Sequence, residues 1–218
     1  MFRDRSDAGR RLADLVANRL GDSAQPPDAA LTVVMGLPRG GVPLAAFVAQ
    51  RLGVPLDVLV VRKIGVPWQP ELAMGAVGEN DAVVLNDGVV SASGVAPQEL
   101  DALIRKASRE VDQVAAELRP AAGPLDVTDR RVIVVDDGVA TGATARAAAR
   151  VLRRRGAGSV ILATATAPPS TCASLRPCYD DVICVESPKH FGSVGQHYEH
   201  FDQVGLDEVR QLLSGALS

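Results

Sequence analysis

Short apolar runs alternate along this chain with longer stretches in which apolar residues recur every three or four positions. A continuous apolar run fits a strand buried on both faces, and the three-four spacing fits a helix with one buried face. "LTVVMG" (31–36) reads as a strand, "LPRGG" as a turn, and "VPLAAFVAQRLG" (42–53) as a helix closed by Gly53. "LDVLVVRK" (56–63) reads as the next strand. Ahead of them, "MFRDRSDAGRRLADLVANRL" sets Leu12, Leu15, Val16 and Leu20 at helical spacing, which predicts an amphipathic helix.

The rhythm breaks after Ile64. The prolines of "IGVPWQPEL" predict a loop, and "AMGAVG" with "AVVLN" predicts a hairpin turning at 79–81. Pro97 then opens a long helix, with Leu100, Leu103, Ile104, Ala107, Val111, Val114 and Leu118 on one face and Pro120 and Gly123 as its stop. A strand at 132–135, a helix ending at Gly156, the strand "SVILATATA" and a short strand at "DVICVE" follow. An irregular segment and a helix over "DEVRQLLSGAL" end the pattern. Strands alternating with helices predict an α/β fold, a central parallel sheet flanked by helices. No repeat or linker is visible, so one domain over 1–218 is expected. It carries a hairpin and long-helix insertion and a small C-terminal hood at about 186–202.

Composition narrows the partners. With 218 residues, 47% hydrophobic and 22% charged, the chain reads as an ordinary soluble protein. A formal net charge of -3 provides no general attraction to nucleic acid or an anionic membrane. No apolar run reaches the ~18 residues of a membrane span. Three cysteines without CxxC spacing argue against a disulfide framework or a zinc site, and predict small buried thiols in a reducing, cytoplasmic compartment.

The candidate chemistry concentrates in "VIVVDDGVATGATARAAAR" (132–150). A buried strand delivers Asp136 and Asp137 to its carboxyl end, where open parallel sheets bind ligands. The following Gly138, Val139, Ala140, Thr141, Gly142, Ala143 and Thr144 combine small residues, hydroxyls and a glycine for close backbone approach. A helix starting at about Ala143 aims its free N–H groups into that loop, as an anion site requires. Carboxylates repel phosphate but accept hydrogen bonds from sugar hydroxyls, so a ribose 5-phosphate fits the two halves together. The plain alternative is a pair of acids capping a helix, with Thr-Gly as turn punctuation.

"VIVVDDGVATGAT" resembles the phosphoribosyl pyrophosphate (PRPP) motif of the type I phosphoribosyltransferase family. It departs from the usual motif at Ala140, where many members carry a hydroxyl, and at Ala143, in place of a second glycine. The resemblance implies transfer of ribose 5-phosphate from PRPP to a nitrogenous base, with release of pyrophosphate and Mg²⁺ held mainly through PRPP. On that reading Asp136 and Asp137 hold the ribose, residues 138–144 bind PRPP with the N–H groups of 141–144 anchoring the 5-phosphate, and Arg39 with Gly40 in "PRGG" forms the pyrophosphate loop. An arginine suits a diphosphate because its planar fork donates two parallel hydrogen bonds. Arg62 and Lys63 read either as a solvated strand end or as cations beside the pyrophosphate. The loop after Ile64 corresponds to the family's flexible catalytic loop.

In "SPKHFGSVGQHYEHF" (187–201), Lys189, Phe191 and Tyr198 loosely resemble the base-binding hood of 6-oxopurine enzymes. The lysine those enzymes carry near 164–166 is missing, so the acceptor stays open. The three histidines there lack metal-site spacing, and no directly bound metal is expected. The helix from Pro97 reads as packing or a dimer face, and a homodimer is expected. A non-catalytic PRPP sensor is the alternative function.

Overall fold

A computed structural model describes residues 1–21, 28, 30–119 and 123–215, with Glu71 described by its backbone alone. In chain order the first elements are α1 (Arg5–Gly21), β1 (Thr32–Gly36), α2 (Gly41–Leu52), β2 (Leu56–Val58), β3 (Val61–Val66), β4 (Gln69–Gly78) and β5 (Ala82–Leu85). Then come α3 (Asp87–Ser93), α4 (Pro97–Leu118), β6 (Arg131–Asp136), α5 (Ala143–Arg154), β7 (Ser159–Thr166), α6 (Pro169–Leu175), β8 (Asp181–Glu186) and α7 (Leu206–Gly215). A 3₁₀ turn at Val194–His197 lies between the last two. Pro120 and the final positions of the expected last helix lie outside the described residues.

Five strands form a parallel sheet in the order β2-β1-β6-β7-β8, and β3-β4-β5 forms a separate antiparallel sheet. Burial on both faces explains the apolar runs at 33–35 in β1, 132–135 in β6 and 160–163 in β7. Alternation along β6 shows it directly. Ile133 and Val135 pack toward Leu12 and Val16 of α1 and Leu44 and Val48 of α2. Val132 and Val134 pack with Ala148, Val151 and Leu152 of α5 on the other side.

Four expectations change. The predicted strand 56–63 is two strands, because the chain leaves the parallel sheet at Leu59 and Val60 and enters the antiparallel one. Both residues are buried, so no polar interruption marks the change. The segment after Ile64 is a second hairpin, β3 to β4 across Pro67 and Trp68. Its irregular register leaves Pro70 between the paired positions Gln69 and Ala73, which is where a strand tolerates proline. The helices α3 and α6, seven residues each, are too short to show periodicity. On α1, Leu15 is 37% exposed, and the three cysteines are free and half-buried.

A buried charge cluster joins the two sheets. Arg119, at the end of α4, reaches Asp57 on β2 (Nε to Oδ1 2.9 Å) and Glu79 at the β4–β5 turn. Asp57 also accepts from the N–H groups of Val58 (2.7 Å) and Leu125 (2.8 Å). At the opposite end of the parallel sheet, the N-terminal segment pairs with 197–200. Phe2 N–H donates to the His197 carbonyl (2.8 Å), Glu199 N–H to the Phe2 carbonyl (2.9 Å), and His200 N–H to the Arg3 carbonyl (2.9 Å). The first residues thus pair with the segment in which the hood is expected.

Candidate functional site

The carboxyl end of β6 and the turn after β1 lie against each other. Leu37 N–H donates to the Val135 carbonyl (2.8 Å), which sets the "PRGG" turn beside the two acids. A Cβ placed on Gly40 would lie 2.0 Å from Asp137 Oδ2. The glycine is therefore required by the neighbouring carboxylate, and its own backbone is helical (φ -64°, ψ -31°). The Pro38–Arg39 peptide bond is cis.

Asp137 faces a cavity of about 380 Å³ lined also by Arg5, Arg39, Gly40, Phe201 and Asp202. Asp136 does not line it and instead accepts from the Asp137 N–H through Oδ1 (3.0 Å). Burial and the adjacent Asp137 charge push the Asp136 carboxyl well above the usual range. Burial also raises Asp137, and Arg5 opposes the rise, with its Nε 2.8 Å from Asp137 Oδ2. The adjacent acids therefore occupy different environments: Asp137 is buried and lines the cavity, whereas Asp136 is half-buried and does not line it.

Arg39 borders a second pocket of about 230 Å³ with Arg62, Val114, Glu117 and Leu206. The structure thus brings Arg62 and Arg39 together from different sheets. Lys63 does not line either cavity, because neighbours on a strand point to opposite faces.

After Asp137 the loop folds back to open α5 at Ala143. Gly142 has φ +76°, a left-handed conformation that glycine adopts without strain. Val139 N–H donates to the Thr166 carbonyl (2.9 Å), anchoring the loop to the end of β7. The Ala140 carbonyl accepts from Thr171 Oγ1 (2.7 Å) and the Thr141 carbonyl from an Arg146 terminal N–H (2.7 Å). Two oxygens that would repel an anion are thereby paired, while Thr141 and Thr144 stay exposed at the helix N-terminus. Ala143, as the first helical residue, takes the place of a glycine without a left-handed φ.

The expected base-side residues are arranged differently. Lys189 is exposed, Phe191 stacks on His197 with ring centroids 4.8 Å apart, and neither lines the cavity beside Asp137. Tyr198 is buried between Phe2 and Phe201, and its hydroxyl donates to the Asp137 carbonyl (2.6 Å). The aromatic ring lining the cavity is Phe201, with the Arg5 guanidinium 3.9 Å above its centroid. Sequence reasoning missed Arg5, Phe201 and Arg146. The N-terminal helix pattern marks only its apolar face and leaves Arg5 unmarked, and nothing in the segment 187–201 distinguishes the ring that lines the cavity.

The family model of the phosphoribosyl transferase domain matches residues 4–200. A protein of Mycobacterium tuberculosis, provisionally named a phosphoribosyl transferase, is 45% identical over 216 residues, covering 99% of this chain and 47% of that protein. The chain thus spans about half the length of the curated relatives it matches. A crystal structure of a Thermus thermophilus protein superposes with a TM-score of 0.87 at 36% identity, covering 97% of each chain. A structure from Aquifex aeolicus shares the fold at a TM-score of 0.53 and 11% identity, over 88% of this chain and 78% of that one.

Proposed function

The chain belongs to the phosphoribosyl transferase family, and from that premise we propose that it transfers the 5-phosphoribosyl group of PRPP to a nitrogen acceptor, releasing pyrophosphate. The observation that carries this reading is the convergence of Asp137, Gly40 and Arg39 on one cavity, directly before the loop that opens α5. Asp137 would accept hydrogen bonds from ribose hydroxyls. Asp136 would act from behind it, orienting the backbone through the Asp137 N–H. Residues 138–144 would bind the 5-phosphate at the α5 N-terminus, and Arg39, with Arg62 beside it, would bind the pyrophosphate.

In the reaction the C1–oxygen bond to pyrophosphate breaks, a C1–nitrogen bond forms, and positive charge builds on the ribose ring between the two. A carboxylate near the ring and an arginine near the leaving group each stabilise charge that develops in the transition state. Binding of the distant 5-phosphate orients the reacting carbon. Mg²⁺ would arrive on PRPP, held mainly through it, and would neutralise leaving-group charge. Among the described residues, no group of three or more His, Cys, Asp or Glu is gathered to hold a metal. Phe201 would border the acceptor, and Tyr198 would hold the acid loop through the Asp137 carbonyl. Lys189 and Phe191 would contribute only if the segment around them closes on the base.

Asp137→Asn is expected to keep the fold and weaken PRPP binding about ten- to a hundredfold, the usual worth of a hydrogen bond to a charged group. Equal affinity in calorimetry would remove Asp137 from the ribose. Arg39→Ala is expected to weaken pyrophosphate more than ribose 5-phosphate, and equal losses for the two ligands would displace Arg39 from its assigned role. The reaction itself is tested by pyrophosphate release from PRPP and Mg²⁺ across a panel of nucleobases, with a no-base control. Base-dependent release establishes the transferase and names its acceptor. PRPP binding without release from any base would assign a sensor instead.

A further inference from the structure

Arg5 lies 132 residues from Asp137 in sequence, yet their side chains form an ion pair at 2.8 Å that is only 15% and 12% exposed. The guanidinium is held on three sides. Its Nε donates to Asp137 Oδ2, its NH1 donates to the Asp202 carbonyl, and its face covers the Phe201 ring at 3.9 Å. The backbone before it is fixed by the pairing of Phe2 and Arg3 with residues 197–200. An arginine placed only for surface solubility does not need these anchors. Both members of the pair line the 380 Å³ cavity, together with Arg39.

We propose that Arg5 is a positioning residue for the transfer reaction, fixing the charge and the orientation of the Asp137 carboxylate that receives the ribose. The proposal rests on the assignment of Asp137 to the ribose. Physically, the acid is buried, an environment that favours its protonated form. A protonated acid becomes a donor and loses the charge that attracts a developing cation. Arg5 is an opposite charge at contact distance, and its bond to Oδ2 fixes the rotation of the carboxylate.

The groups facing Asp137 come from several elements. Asp136 adjoins it on β6, Arg39 borders the cavity from the turn after β1, and Asp202 borders it from the C-terminal segment. Tyr198 contacts its backbone, with a phenol pushed upward by burial and then by the Asp137 charge. Of the cations lining this cavity, Arg5 forms the ion pair with Asp137, and Arg39 is reserved for the pyrophosphate. The sign follows. Burial holds the proton on Asp137 and Arg5 releases it, so removing Arg5 keeps the acid protonated to higher pH. Ligand binding that needs the carboxylate then improves as pH rises.

The test is a ¹³C NMR titration of the Asp137 carboxyl in the unliganded protein, wild type against Arg5→Met and Arg5→Lys. Arg5→Met should raise the midpoint by about one pH unit or more, the usual effect of an opposite charge at this distance. Arg5→Lys should return it toward wild type, and it provides the folded comparison if the Met variant does not fold. Ribose 5-phosphate affinity in Arg5→Met, taken relative to wild type at the same pH so that the ligand's own phosphate titration cancels, should fall further at pH 6 than at pH 8. An unmoved midpoint, or a loss of affinity equal at every pH, overturns the proposal. Failure of the wild type to bind ribose 5-phosphate or PRPP would overturn the ribose assignment, and the titration would still decide whether Arg5 sets the charge of Asp137.

Discussion

Replacing Arg119 with methionine is expected to lower the free energy of unfolding by about 3–5 kcal/mol, the cost of removing one partner from a buried ion pair. The side chain is 7% exposed, and Asp57 and Glu79 are 4% and 5% exposed, so neither carboxylate can be rehydrated without opening the junction between the sheets. Methionine preserves much of the packing volume, which leaves the unpaired charges as the main loss. Arg155 lies close enough to feel both acids and would offset part of it. Asp57 also keeps two backbone donors, which favours the lower end of the range. Urea denaturation with an unchanged slope would measure the effect directly. A loss below about 1 kcal/mol would mean that the cluster is hydrated and screened like a surface pair.

Gly40→Ala is expected to reduce PRPP affinity or turnover about a hundredfold, the scale on which a displacement of about 1 Å acts at a reacting centre. The backbone at Gly40 already has helical angles, so alanine brings no conformational strain. The whole effect must come from contact, because the new Cβ would sit 2.0 Å from Asp137 Oδ2 and 2.6 Å from Cγ. The carboxylate cannot simply swing away, since Arg5 holds the same oxygen. Either the acid or the turn carrying Arg39 has to shift, and each shift separates two groups that act on one substrate in the proposed reaction. Binding of PRPP and of pyrophosphate alone, measured by calorimetry, distinguishes the two. A Gly40→Ala protein that binds both like wild type would show that the turn and the acid do not act together.

The strand ending in two acids and the small-residue loop before α5 were legible because each rests on local chemistry. A buried strand needs a continuous apolar run, a close backbone approach needs small residues, and a helix start needs no partner beyond its own loop. The same locality made the helices α2, α4 and α5 visible. It failed at residues 56–63, where one apolar run serves two sheets, and after Ile64, where prolines in a hairpin look like prolines in a loop.

The sequence by itself determined the α/β class, the phosphoribosyltransferase resemblance and the position of the acid-loop motif, since these follow from periodicity and from residues adjacent in the chain. Tertiary structure alone decided which acid and which aromatic ring line the cavity, that Arg5 reaches Asp137 there, and that Arg62 borders a pocket with Arg39. Side-chain direction at a strand end and contacts between residues more than a hundred positions apart depend on how the layers pack. The three-dimensional arrangement that sets Arg5 against Asp137 exists only once α1, the β1 turn and the C-terminal segment have closed around one cavity.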